Sequence, residues 1–241
     1  MYDLTNFTLS DVTRCGAELR RLGDSAASME EAARRVVQLL YQSLGNGAAT
    51  SRACALVRTF VTLPYAQLQP EQQAFAARVF LDVAHHPDTK CLTLLATAGD
   101  EHAWNDRRSS VGHQALPLPS EDSVSRSPMI SQLMRQLGIG VGALLQTGSA
   151  MMLDDAQHTF NVFHVPDALG SPHIPAQNEF VAPFRIRSVV GFGGLLPPGE
   201  LFATILFTRA PVSRSAAELF KPLALNVKLA LLPFAGVKVF D

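Results

Sequence analysis

A chain of 241 residues with 47% hydrophobic and only 17% charged residues can bury a sizeable core, which argues against disorder. Its 20 basic and 21 acidic residues are mixed along the chain to a formal net charge of −1, leaving no electrostatic footprint for nucleic acid or an anionic membrane. The longest apolar stretch, LALNVKLALLPFAGVKVF, is interrupted by Lys228 and Pro233 and is too short to span a bilayer. In chain order, SDVTRCGAELRRLG reads as a short helix capped by Ser10 or Asp11. Ser28 then opens SMEEAARRVVQLLYQSLGNG, where Glu31 completes an S-x-x-E capping box. Ala33, Val36, Leu40 and Leu44 share one face there, and Gly45-Asn46-Gly47 is a stop. ACALVRTFVTL, rich in β-branched and aromatic residues and ending at Pro64, predicts a strand. PEQQAFAARVFLD returns to helical spacing with Pro70 in the first turn, and KCLTLLATAG predicts a second strand.

From Asp100 to Pro128 the composition turns polar and proline-containing, and a run of that length inside a folded chain is usually functional or mobile. PMISQLMRQLG predicts a helix opened by Pro128 and closed by Gly138, and TFNVFHV a strand. SVVGFGGLL and LFATILF form a hairpin joined by PPGE, with Pro198 and Gly199 suited to the second and third positions of a type II turn. Glycines 191, 193 and 194 leave one strand face nearly bare, so a helix or ligand is expected close against it. The closing helix, capped by Ser213 and bent or truly begun at Pro222, carries Phe220, Leu223, Val227 and Leu231 on one stripe. Leu225, Leu229 and Leu232 form a second stripe, more apolar surface than packing on one sheet requires.

The segment IRSVVGFGGLLPPGELFATILFTRAPVSRSAAELFKPLALNVKLALL resembles the ending of the GAF family of bacterial sensor domains. There, a strand, a turn and a second strand lead through a short polar segment into a final helix. LRRLGDSAASMEEAARRVVQLLYQSL followed by ACALVRTF is similar to that family's opening helix and first strand, so the resemblance runs from about residue 10 to residue 234. More particularly, the chain resembles the GAF-like segments that precede histidine kinases and other output modules. The resemblance implies a single GAF-like domain over residues 1–241 of α+β, GAF/PAS-like class. A central antiparallel sheet of five or six strands would carry the N- and C-terminal helices on one face and a ligand pocket under loops on the other. It also implies a small-molecule ligand, a kinase or other output protein as partner, and a dimer contact through the terminal helices; the second apolar stripe places Leu225, Leu229 and Leu232 at that homodimer contact. No output signature follows the closing helix, so the chain reads as a stand-alone module or the sensory piece of a two-component or related system.

Bilin-binding members attach their chromophore through a cysteine in the pocket region, and no cysteine follows Cys91 here, so covalent bilin is not expected. The residue set of cyclic-nucleotide-binding members has no assured placement, and the cofactor stays unknown. Cys15, Cys54 and Cys91 stand far apart without a CxxC pair, as reduced thiols do, and MYDLTNFTLSD lacks the features of a secretory signal; the expected location is cytoplasmic.

The stretch HTFNVFHVPDALGSPHIP holds three of the 7 histidines. In a strand His158 and His164 share a face but stand roughly 20 Å apart at ~3.3 Å per residue, too far for one metal. His164, His173 and Asp167 could in principle make an N,N,O site, although a strand plus a proline-bounded loop with solvated histidines accounts for the same residues. No catalytic residue is assigned. The polar lining groups expected in one cavity, flanked by the 100–128 loop and residues 166–177, include His113, Asn161 and His164, and His173 joins them as a ligand-binding candidate. Two classes of function stay open: a ligand-binding or protein-interaction sensor signalling through its terminal helices, and a haem- or metal-binding sensor or small enzyme using His113, His164 or His173.

Overall fold

In the computed structural model, which describes residues 1–47, 51–145, 161–197 and 199–241, six strands make one antiparallel sheet. They are β3 (Cys54–Pro64), β4 (Lys90–Gly99), β5 (Ala115–Pro117), β6 (Val162–Val165), β7 (Ser188–Leu196) and β8 (Glu200–Thr208). Their spatial order is β5-β4-β3-β8-β7-β6. A separate parallel pair joins β1 (Tyr2–Asp3) to β2 (Leu44–Gly45).

The long central strands are apolar along nearly their whole length because both faces of the sheet are covered. On one face, Val57, Val61 and Leu63 of β3, Phe192 of β7 and Phe202 and Leu206 of β8 pack under α1 (Leu9–Arg21) and α2 (Met29–Ser43). The same cluster takes in the closing helix, which is two helices: α7 (Arg214–Glu218), capped by Ser213, and α8 (Lys221–Leu231), with Pro222 in its first turn. Pro222 thus marks a real beginning, as its missing N–H and fixed φ suit a first turn. On the other face, Leu56 and Phe60 of β3 and Ile205 and Phe207 of β8 meet Ile130, Leu133 and Leu137 of α5 (Pro128–Leu137). The terminal helices do lie together on one face, and the sheet has six strands, as the α+β reading requires.

Local chemistry sets the element ends. The first helix is capped two residues before Ser10 and three before Asp11. Thr8 is its cap, its hydroxyl accepting from the Asp11 N–H while the Asp11 carboxylate accepts from the Thr8 N–H. At α2 the Ser28 hydroxyl accepts from the Glu31 N–H at 3.0 Å, but the Glu31 carboxylate reaches the Ala27 N–H, one residue before the reciprocal partner of a capping box. The remaining first-turn donors of α2 go to the carboxy-terminal tail, the Met29 N–H to the Lys238 carbonyl and the Glu30 N–H to the Val239 carbonyl. No glycine stop follows directly, because the chain passes from Ser43 into β2. In the hairpin the Gly199 N–H donates to the Leu196 carbonyl, so Gly199, at φ 114°, closes the turn as its fourth residue, not its third; Pro198 lies outside the described residues.

The segment from Asp100 to Pro128 is not structureless. It contains two 3-10 turns, the edge strand β5, and α4 (Glu121–Ser125). After α5, Gly138 takes the left-handed conformation and the chain enters α6 (Val141–Leu145). The helix α3 (Pro70–Val79) follows β3. The bare strand face around Gly191 is covered as expected: a Cβ there would stand 3.1 Å from the Phe163 ring and 3.4 Å from Leu133 of α5.

Candidate ligand cavity

Between the sheet and the polar segment lies a cavity of about 420 Å³. Its floor comes from β3 and β8, where the two-residue period turns Leu56, Arg58 and Phe60 to the same side as Ile205 and Phe207. Met129, Ile130 and Leu133 of α5 make one wall, Ile174 to Ala176 with Glu179 and Phe180 another, and Trp104 and residues Ser109 to His113 the third. A π-helical turn, Gln177–Val181, carries Phe180 into the wall. Its ring meets Trp104 at 5.6 Å and stands edge-on to Phe207 at 5.0 Å, and Phe184 packs on Trp104 at 4.5 Å. Trp104 thus both anchors the loop and borders the cavity, as rings with edge-to-face partners do at low conformational cost.

The loop is held from below. The Asn105 side chain accepts from the Gly99 N–H and donates to the Gly99 and Glu101 carbonyls, fixing the exit from β4. Arg107, 5% exposed, grips Glu30 in the first turn of α2 with two hydrogen bonds. The following residues, Ser109 to His113, are cavity wall. One short stretch therefore touches both the cavity and a terminal helix.

Arg58 is the charged group of the floor. Its Nη2 donates to the Ser110 hydroxyl over a long 3.4 Å, its buried Nε has no hydrogen-bond partner among the described residues, and no carboxylate lies in ion-pair range of it among them. Burial draws its pKa down to about 10, which leaves it charged at neutral pH. His113 stands at the rim in a left-handed conformation, φ 62°. Its pKa is lowered first by desolvation and then by the Arg58 charge, so the imidazole is neutral around pH 7.

The other expected lining residues are elsewhere. In β6, Phe163 and Val165 belong to the cavity-side cluster and Val162 to the helix-side cluster, so alternation turns His164 away from the cavity. Its Nε2 meets the Val212 carbonyl at 2.9 Å ahead of α7. This corrects the expectation of His113 and His164 in one pocket. Asn161 is no part of the lining either, its amide donating to the Leu137 carbonyl at the end of α5. His164 and His173 border a second, open depression of about 370 Å³ with Asp167, Gln132 and Gln136. Among the described residues no three His, Cys, Asp or Glu side chains converge as a metal site would need, and His158 lies outside them. Leu225, Leu229 and Leu232 are 45%, 39% and 38% exposed, whereas Phe220, Leu223, Val227 and Leu231 are buried.

All three cysteines are fully buried in the cluster under the terminal helices, across the sheet from the cavity. Burial, the leading cause at each, pushes their thiols up to about 12. No thiolate faces the cavity. The residue that sequence reasoning passed over is Arg58, and its signal was present: it is the lone charge inside an eleven-residue apolar strand, ACALVRTFVTL.

No family model matches the chain, and no curated protein does. Among solved structures, the free methionine-R-sulfoxide reductase from Neisseria meningitidis in complex with its substrate is similar at TM-score 0.50 and 9% identity, over 95% of this chain and 90% of that one. The GAF domain from Acinetobacter phosphoenolpyruvate-protein phosphotransferase gives 0.46 at 11% identity, covering 97% of each chain. The phycocyanobilin-bound GAF domain from a cyanobacterial phytochrome gives 0.43 at 12% identity, covering 93% of each. Likeness at this identity concerns the fold alone. The fold is α+β, with an antiparallel sheet between the terminal helices and a loop-covered cavity, and is similar to that of the reductase.

Proposed function

We propose that residues 1–241 act as one GAF-like sensory domain of bacterial signal transduction. A small molecule occupies the cavity of about 420 Å³, and its presence is passed to a kinase or other output protein through the terminal helices. The observation that carries this reading is the shared stretch 107–113: Ser110 and His113 border the cavity while Arg107 holds Glu30 of α2. A ligand that moves the wall acts on the helix start through a buried, two-bond contact, so occupancy and helix arrangement are thermodynamically linked.

The exposed stripe of Leu225, Leu229 and Leu232 supports a homodimer contact on α8 and the turn after it, since the inner stripe already seals the core. Lys228 stands between the stripes, where its stem can cover apolar surface while the ammonium reaches water, and desolvation lowers its pKa.

Native mass spectrometry of the gently purified protein tests the reading, together with a thermal-shift screen of small metabolites. A bound mass lost on denaturation, or a ligand that raises the melting temperature, is expected, and Leu133→Trp, which fills the cavity, should abolish either. A protein that carries nothing and responds to nothing in the screen, with wild type and Leu133→Trp alike, overturns it.

A further inference from the structure

We propose that the cavity takes a monoanionic amphiphile, a carboxylate on an apolar, partly aromatic body, and that Arg58 binds the carboxylate; this rests on the reading of the cavity as a ligand site. A guanidinium presents Nε and one terminal nitrogen side by side, a fork that matches the two oxygens of a carboxylate. In Arg58 that pair is free: Nε is buried without a partner, and Nη2 makes only the 3.4 Å contact to Ser110, among the described residues. Arg58 is half-buried, and its buried, unpaired Nε carries a desolvation cost that an anion entering the cavity would relieve. In the neighbouring stretch 107–113 the arginines are engaged elsewhere, Arg107 with Glu30 and Gln69 and Arg108 beside Glu71.

The surroundings limit the ligand further. Leu56, Phe60, Ile205 and Phe207 flank Arg58 on the floor, so what lies beyond the carboxylate is apolar. Trp104 and Phe180 offer ring faces and edges to an aromatic or unsaturated body. The rim adds no second fixed cation, because His113 is held neutral by desolvation and by Arg58 itself. One guanidinium balances at most one ligand charge, and the acidic Glu179 on the wall disfavours any further negative charge. A polyphosphate or dicarboxylate would leave the excess charge desolvated against an apolar wall.

Trp104, the only tryptophan in the chain, borders the cavity and reports occupancy by its fluorescence. The test titrates the full chain with phenylhexanoate, phenylhexanamide and phenylhexylamine, near-isosteres carrying a negative, neutral and positive head. The acid is expected to bind about tenfold or more tighter than the amide, with the amine weakest. Arg58→Gln should erase the preference while keeping the amide affinity. Arg58→Lys, with the charge but without the fork, should keep part of it. Equal affinity of acid and amide for wild type overturns the carboxylate class and leaves the cavity reading standing. An unchanged acid preference in Arg58→Gln overturns the role of Arg58. If none of the three compounds perturbs Trp104 in wild type, the cavity reading fails along with the inference.

Discussion

Arg107 and Glu30, 77 residues apart, meet fork to fork: Arg107 Nε donates to Glu30 Oε1 at 2.6 Å and Nη2 to Oε2 at 3.0 Å. The Arg107 side chain is 4% exposed. The carboxylate sits in the first turn of α2, where the helix dipole favours it, and the Phe240 ring lies 5.0 Å from the guanidinium. Removing one partner of such a pair strands a buried charge, whereas replacing both with apolar groups does not.

Glu30→Ala is therefore expected to lower stability by about 3 kcal/mol in urea unfolding, the lower end of the range for a broken buried pair, because Glu71 at 3.5 Å still faces Arg107. The double variant Glu30→Leu with Arg107→Met should recover most of that loss. If the pair is the link between cavity wall and helix, the double variant should also keep ligand binding at the cavity but lose any ligand-induced change in amide exchange at residues 28–31. A single variant as stable as wild type would mean the contact is a surface ion pair in energetic terms.

Gly23 sets how closely α8 approaches the end of α1. A Cβ at that position would stand 2.3 Å from the carbonyl oxygen of Ala230, a backbone atom that cannot swing aside. Gly23→Ala is expected to cost about 1–3 kcal/mol in denaturant unfolding, as overpacking does. Gly112→Ala, where no atom lies within 4 Å of the new Cβ, is the control and should stay within about 0.5 kcal/mol of wild type.

These contacts divide what a sequence reveals from what it hides. The long strands β3, β4, β7 and β8 and helix α2 are legible because their signals are local: β-branched runs, a turn with a glycine, a serine cap. The strand β5 is not. Its three residues, Ala115 to Pro117, sit in a polar, proline-bearing segment and owe their conformation to pairing with Cys91, Leu92 and Thr93. The two-residue period says that His164 and Phe163 point oppositely, yet only the packing of Phe163 against Gly191 and Leu133 decides which of them meets the cavity side. Arg58 was readable as a lone charge in an apolar strand. The Arg107 to Glu30 contact had no local trace, since each residue looks like an ordinary exposed charge of its own segment.

The exposed leucines of α8 lead to a prediction about assembly. Leu225→Glu with Leu229→Glu places charges at positions 45% and 39% exposed in the single chain, so the fold tolerates them. Circular dichroism should remain native, while sedimentation should shift from dimer to monomer, since two unpaired charges cannot be desolvated at a contact. Wild type sedimenting as a monomer at high concentration would refute the dimer. Leu223→Glu, at a fully buried position, should instead unfold the chain.

Glu200 supplies a pH dependence whose sign follows from burial. It opens β8, is 4% exposed, and its Oε2 finds no hydrogen-bond partner among the described residues. Desolvation raises its pKa above the ordinary carboxylate value, outweighing the opposite pull of the Lys90 ammonium. The folded chain thus holds this proton more tightly than the unfolded chain does. Stability then falls as pH rises from the unfolded value of 4.5 through the higher folded one, and above that window the ionised carboxylate is a net liability. Glu200→Gln removes the charge and keeps the shape. At pH 7 it is expected to melt at a higher temperature than wild type. The advantage should shrink as pH falls and vanish well below pH 4.5, where wild-type Glu200 is protonated in both states. A variant that is less stable than wild type at pH 7, by a margin that closes only as pH falls below 4.5, would show the reverse sign, with Lys90 holding Glu200 as a stabilising ion.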